Sequence, residues 1–214
     1  MGGLFFLGFC LACSIINCEV LQMVFFKFLS GKKKKNTPHP RAETTPVSAT
    51  CKEKGRSGEE DLNTWFQANG LAYLYVRQNP ETFAPLFKDF LKRPDFLVLL
   101  DSIGLIAVDA KNHTLWNGDH YTLSLESELR RVITFERLFR IPVWYAYRHE
   151  EKGKIVWYWI SALKAVEVGT ICESDKTGDF LKIKLEHFEK IETNADLGKL
   201  YTQRLPSLAK INAL

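Results

Sequence analysis

The stretch from Arg93 to Lys111, RPDFLVLLDSIGLIAVDAK, constrains this chain more than any other. It reads as a β-hairpin. Phe96 to Leu100 is an apolar, β-prone run, Asp101 to Gly104 supplies turn chemistry, and Leu105 to Val108 is a second apolar run. Strand side chains alternate between faces, so Asp109 and Lys111 project from one face. Asp95, Leu97, Leu99 and Asp101 share a face of the preceding strand. Pairing the two strands brings Asp95 near Asp109 and Lys111 at one end of the hairpin. Asp101 falls at the far end and reads as turn chemistry. Two carboxylates and an ammonium closing apolar strands are costly to bury without partners. A hard divalent cation is one such partner, held by carboxylate oxygens. It activates a water and steadies charge on a phosphorane-like transition state.

Pro94-Asp95 followed by Asp109-Ala110-Lys111 resembles the signature of the PD-(D/E)xK nuclease superfamily, the restriction-endonuclease-like fold. The resemblance implies an α/β fold with an αβββαβ core, a mixed sheet flanked by helices, and the motif on strands two and three. It implies that Asp95 and Asp109 bind Mg²⁺ (or Mn²⁺) and that the Ala110 carbonyl adds a ligand. Lys111 would orient the attacking water or stabilise developing charge. In the resolvase-like branch the first helix begins with a glutamate leaning toward the metal. Glu59, with Leu62, Gly70 and the strand from Leu71, matches that ExxL pattern, and Glu60 is the rival. A helix-dipole or solvent role for Glu59 stands beside it. The expected activity is a metal-dependent endonuclease hydrolysing DNA phosphodiester bonds to 5′-phosphate and 3′-hydroxyl. The alternative is a catalytically inactive nuclease-fold nucleic-acid-binding or membrane-tethered interaction protein. The blandest reading of Asp95, Asp109 and Lys111 is a surface salt-bridge cluster. DNA is the expected partner, and a homodimer follows from the habit of many members of the family.

Element order supports the resemblance over about residues 59–160. EEDLNTWFQANG, after Gly58, predicts an amphipathic helix of about three turns with Glu59 and Glu60 in its first turn and Asn69-Gly70 at its end. Leu71 to Val76 predicts a strand. Asn79 to Leu91 predicts one short helix beginning at Pro80, delivering the chain to Lys92-Arg93, which read as surface charges or as phosphate contacts. Asn112 to Gly118 reads as a loop. His113 and His120 are too sparse for a zinc site, and Trp116 reads as folded onto the core, with base stacking as the alternative. Leu123 to Arg140 predicts a second helix whose charges, Glu126, Glu128, Arg130, Arg131, Glu136 and Arg137, form a solvated face. Ile141 to Tyr147 and Ile155 to Ile160 predict strands joined by a charged turn over His149–Lys154. Residues 161–193 are less legible, with a strand expected at Phe180–Leu185.

The domain thus spans 59–193, and 194–214 reads as a C-terminal tail or helix. Residues 31–58 read as a basic, disordered linker. Residues 1–30 form a hydrophobic N-terminal segment with three open readings: a membrane anchor, a signal or lipoprotein segment, or a mis-annotated start ahead of Met23. An anchor would leave Lys32 to Lys35 and the domain on the cytoplasmic side, tied to the inner face of the membrane. Of the chain's 29 Lys/Arg and 25 Asp/Glu, residues 1–58 hold 9 and 3, leaving 20 against 22 for the rest. The domain is therefore no strongly basic nucleic-acid binder by net charge, and any basic groove is local. Of Cys10, Cys13, Cys18, Cys51 and Cys172, only the last lies in the domain. That excludes a disulfide framework there and suits a reducing compartment.

Overall fold

The computed structural model describes residues 49–88, 90–101, 103–175 and 178–202. The hydrophobic segment 1–30, the linker as far as residue 48, and the tail from 203 onward lie outside the described residues, as do Cys10, Cys13 and Cys18. Among the described residues, no helix is long and apolar enough to cross a membrane.

The chain is a mixed α/β structure. Helix α1 (Ala49–Ala68) leads into β1 (Ala72–Tyr75), β2 (Phe96–Leu100), β3 (Gly104–Lys111) and β4 (His120–Ser124). A π-helical turn, Leu125–Leu129, opens α2 (Arg130–Phe139). Then follow β5 (Val143–Glu151), β6 (Lys154–Ser161), α3 (Ala162–Val168), β7 (Thr170–Cys172), β8 (Phe180–Lys184), β9 (Glu189–Ile191) and α4 (Gly198–Thr202). The main sheet has the order β1-β2-β3-β5-β6-β9, and β4, β8 and β7 form a second, three-stranded sheet. β3 and β5 run parallel and the other neighbours antiparallel. A parallel pair needs a crossover connection, and α2 lies within it.

Strand parity decides what each face of the main sheet buries. Phe96, Val98 and Leu100 of β2, Ile106 and Val108 of β3, Trp144 and Ala146 of β5, and Trp157 and Trp159 of β6 form one apolar layer with Leu62 and Phe66 of α1. Phe66 is its hub, with ring centroids 5.2 Å from Tyr73 and Phe96 and 6.4 Å from Trp159. Leu197 and Leu200, beside and within α4, close the same layer. The other face presents Ala107, Asp109 and Lys111 of β3 opposite Val143, Tyr145 and Tyr147 of β5.

Several boundaries differ from the sequence expectation. α1 begins at Ala49, ten residues before Glu59, so 49–58 is helix rather than linker, and neither Glu59 nor Glu60 stands in a first turn. Gly58, which precedes the helix predicted from sequence, lies inside α1. Here it marks a close approach: a Cβ on it would meet Asn112 Cβ at 2.9 Å. Asn112 Nδ2 donates to Lys54 O at 2.8 Å, and Lys54 Nζ donates to Thr114 Oγ1 at 2.9 Å. The expected single helix over 79–91 is two 3₁₀ turns, Pro80–Thr82 and Pro85–Phe87, because Pro85 cannot continue a helix begun at Pro80. Leu123 and Ser124 end β4 rather than open the second helix. The turn after β5 is tighter than 149–154: Lys152 and Gly153, at φ 50° and 77°, make a two-residue loop, so pairing continues to Glu151–Lys154.

Candidate active site

The hairpin forms as its alternation requires. Phe96 pairs with Val108 and Leu97 with Ala107, so the parity of β2 puts Asp95, just before it, on the face of Asp109. Asp95, Asp109 and Lys111 are 7%, 0% and 7% exposed, which rules out a mere surface cluster. The Ala110 N–H donates to Asp95 Oδ2 at 2.8 Å, tying the first acid to the strand that bears the second. Lys111 Nζ lies 2.5 Å from Asp109 Oδ2. The sequence-predicted trio is therefore brought together, and Ala110 joins it as a backbone donor.

Two further residues complete the cluster. Lys92 Nζ lies 2.9 Å from Asp109 Oδ1, donates to Oδ2 at 3.1 Å, and donates to Glu128 Oε2 at 2.7 Å. Lys111 Nζ donates to the same Glu128 oxygen at 2.6 Å. Lys92 is carried there by the segment before β2. Phe83, Phe87 and Phe90 pack in series, Phe87 also lies 5.9 Å from Phe139 of α2, and Leu91 is buried. Arg93 holds the outer side by donating to Thr82 Oγ1 and Asn79 O, with its guanidinium 4.6 Å from the Phe83 ring centroid. Glu128 is no member of a solvated face. It follows Leu125 by three and precedes Val132 by four, the spacing of the buried stripe. That spacing was the signal available in the sequence. Glu128 is half-buried, and Glu136, four after Val132, is buried and accepts from the Val143 N–H at 3.1 Å.

Five charged groups thus share a space of low dielectric, and they do not titrate alike. Burial pushes the Asp109 carboxyl up, but the Lys111 and Lys92 ammoniums outweigh it and hold the group down at about 2. Glu128 is lowered by the same contest between burial and the two lysines. Burial lowers Lys111, yet Asp109 and Glu128 outweigh it and hold its ammonium well above the ordinary lysine value. Asp95 moves the other way: burial first, then the Asp109 charge, raise its carboxyl well above the usual range. Two lysines balance Asp109 and Glu128, and Asp95 is the acid left over.

Glu59 sits mid-helix and half-exposed, accepting from Tyr75 Oη at 2.8 Å. Burial and this glutamate push the Tyr75 phenol up to about 12. Glu59 lies close enough to Asp95 to raise its carboxyl as well, so it belongs to the rim rather than to the cluster. His113, on the loop after Lys111, has its pKa lowered by burial and by Lys111. Trp116 is 43% exposed rather than folded onto the core, with Lys182 Nζ 4.5 Å above its ring centroid.

Among the described residues, no three His, Cys, Asp or Glu side chains gather into a metal-holding group. Mg²⁺ needs fewer, since it is commonly held by one or two carboxylates, with waters and substrate phosphates filling the remaining positions. The Asp95–Asp109 pair meets that requirement. Asp109 Oδ1 is buried and its one charged neighbour is the Lys92 ammonium, 2.9 Å away. A metal cation could take the place of that ammonium on a carboxylate oxygen of this kind. No protein-family model matches this sequence, and no curated protein matches it either.

Proposed function

We propose that this protein is a metal-dependent endonuclease that hydrolyses DNA phosphodiester bonds, with α1 to β5 as a restriction-endonuclease-like core into which β4 is inserted. The observation that carries the reading is Asp109: a fully buried carboxylate facing Asp95 across a strand pair, with Lys111 on its own strand and face. A structural salt bridge needs one acid and one base. This arrangement has three acids, Asp95, Asp109 and Glu128, against two lysines, and both lysines lie on Asp109 and Glu128.

Asp95 and Asp109 would hold Mg²⁺ or Mn²⁺, with the Ala110 carbonyl as a further ligand and Glu59 acting from the rim. When bound, the ion supplies an activated water and charge neutralisation at phosphorus. Lys111 remains protonated across the working pH range, so it is a donor and not a general base. Its ammonium orients a water or lies against a developing oxyanion, and Glu128 and Asp109 fix where it points. Tyr145, its ring centroid 5.6 Å from Lys111 Nζ, walls the site on the β5 side.

The test uses the full chain with supercoiled, linear and branched DNA, in Mg²⁺ or Mn²⁺ and in chelator. Cleavage that requires metal and is lost in Lys111→Ala is the expected result. A second reading, an inactive nuclease-fold module that binds nucleic acid, is favoured by the lysines already lying against both Asp109 oxygens. Metal-independent DNA binding without cleavage of any substrate would put that reading first.

A further inference from the structure

We propose that Lys92 is a tethered counter-ion, closing Asp109 until a divalent cation displaces it, with Glu128 as the seat to which its ammonium retires. The inference rests on the metal-dependent reading above and concerns how that site is kept before metal arrives.

Of the two lysines on Asp109, only Lys92 is placed to leave. The Lys111 side chain is 8% exposed and rooted on β3. The Lys92 side chain is 27% exposed and comes from the segment before β2. The two Asp109 oxygens are also held differently. Oδ2 takes Lys111 at 2.5 Å and Lys92 at 3.1 Å, whereas Oδ1 has the Lys92 ammonium alone, at 2.9 Å. Oδ1 is therefore the oxygen that departure of Lys92 alone uncovers. Departure leaves Lys92 no orphan, because the same Nζ already lies 2.7 Å from Glu128 Oε2. A small rotation of a flexible side chain exchanges one carboxylate for another. The exchange frees Asp109 for the cation while Lys111 stays in place. A divalent cation on Asp109 would meet the repulsion of the Lys92 ammonium that already covers Oδ1, so metal and Lys92 compete for that oxygen.

The test needs neither DNA nor turnover. Mn²⁺ is titrated into the chelator-treated full chain, and free Mn²⁺ is read by electron paramagnetic resonance, with circular dichroism reporting folding. Lys92→Met tightens Mn²⁺ binding on the order of 10-fold, the scale at which groups around a metal ligand set affinity. Lys92→Gln, a second neutral variant, does the same. Glu128→Gln weakens binding in the wild-type background, by confining Lys92 to Asp109, and does much less in the Lys92→Met background. Binding that is unchanged or weaker in both neutral Lys92 variants overturns the proposal. So does a Glu128→Gln effect of equal size in both backgrounds. If the wild type binds Mn²⁺ and either of these results appears, the counter-ion role alone fails. If neither the wild type nor any variant binds Mn²⁺, the metal-dependent reading fails with it.

Discussion

The two faces of the six-stranded sheet are built from alternate residues of the same strands, yet only one of them buries a charged cluster among its apolar residues. Under α1, Phe96, Val98, Trp144, Trp157 and Trp159 meet Leu62 and Phe66 in a layer of rings and branched chains. On the other face the same strands bury Asp109 and Lys111 and receive Lys92 and Glu128 from outside the sheet. The first layer gains from every atom it hides, about 25 cal/mol per Å² of apolar surface. The second must recover the cost of desolvating its charges through mutual attraction, which in buried clusters does little better than break even. The charged cluster is set among buried apolar residues of its own face, Ala107, Val143, Tyr145 and Ile160, so both faces contribute to stability and only one gives some of it up locally.

The largest expected effect breaks the apolar side. Phe66→Ala removes the ring shared by Tyr73, Phe96 and Trp159 and lowers unfolding free energy by about 3–5 kcal/mol in a urea titration. Next, Lys111→Ala leaves Asp109 and Glu128 short of one ammonium and costs about 3 kcal/mol. Adding Asp109→Ala to it costs much less than the sum of the two single changes, because the orphaned charge goes too. An additive double mutant would mean that the charged face holds the fold as independently as the apolar one.

The smallest effect is also the sharpest, because its sign is reversed. Asp95→Asn, in chelator at neutral pH, raises stability by about 0.5–2 kcal/mol, the usual range for relieving a functional strain. The direction follows from linkage. The Asp95 carboxyl is raised in the folded protein, by burial and then Asp109, so the wild type loses stability as pH climbs above the unfolded value of about 3.9. The asparagine does not titrate. Its advantage in melting temperature therefore disappears at pH 3 and grows toward neutrality. An advantage independent of pH would show that the charge of Asp95 is not what costs stability.

Much of this contrast is legible in the sequence, and what escapes has physical reasons. Asp95, Asp109 and Lys111 fall together because strand parity is rigid: two positions apart on one strand is one face, whatever the surroundings. The αβ order from α1 to β6 follows from long periodic runs. β4 escapes, since five residues, HYTLS, sit between a loop and a longer helical pattern that absorbs them. β7 and β9, three residues each, are too short to display alternation. The early start of α1 is hidden by Gly55 and Gly58, for the second of which only the fold shows a reason, the close passage over Asn112. Lys92 carries no local signal, because its place is set by the Phe87–Phe139 packing across the chain. Glu128 did carry one, in its spacing to Leu125 and Val132, masked by the charges on either side of it.

All five charged groups of the site come from one unbroken stretch, Lys92 to Glu128, although they meet across two strands and a helical turn. The charged partners on different elements stand 17 to 36 residues apart, and the entropy of closing such loops grows only slowly with their length. The stretch is in effect a cassette. The tip of the β5–β6 hairpin, Lys152-Gly153, lies beyond it with both residues exposed. A permuted chain with its ends opened at that tip would keep the cassette whole, and so would an insertion made there. Such a rearrangement would leave the five charged residues together in sequence, and the walls they need, Phe139 and Tyr145, on the same side of the cut.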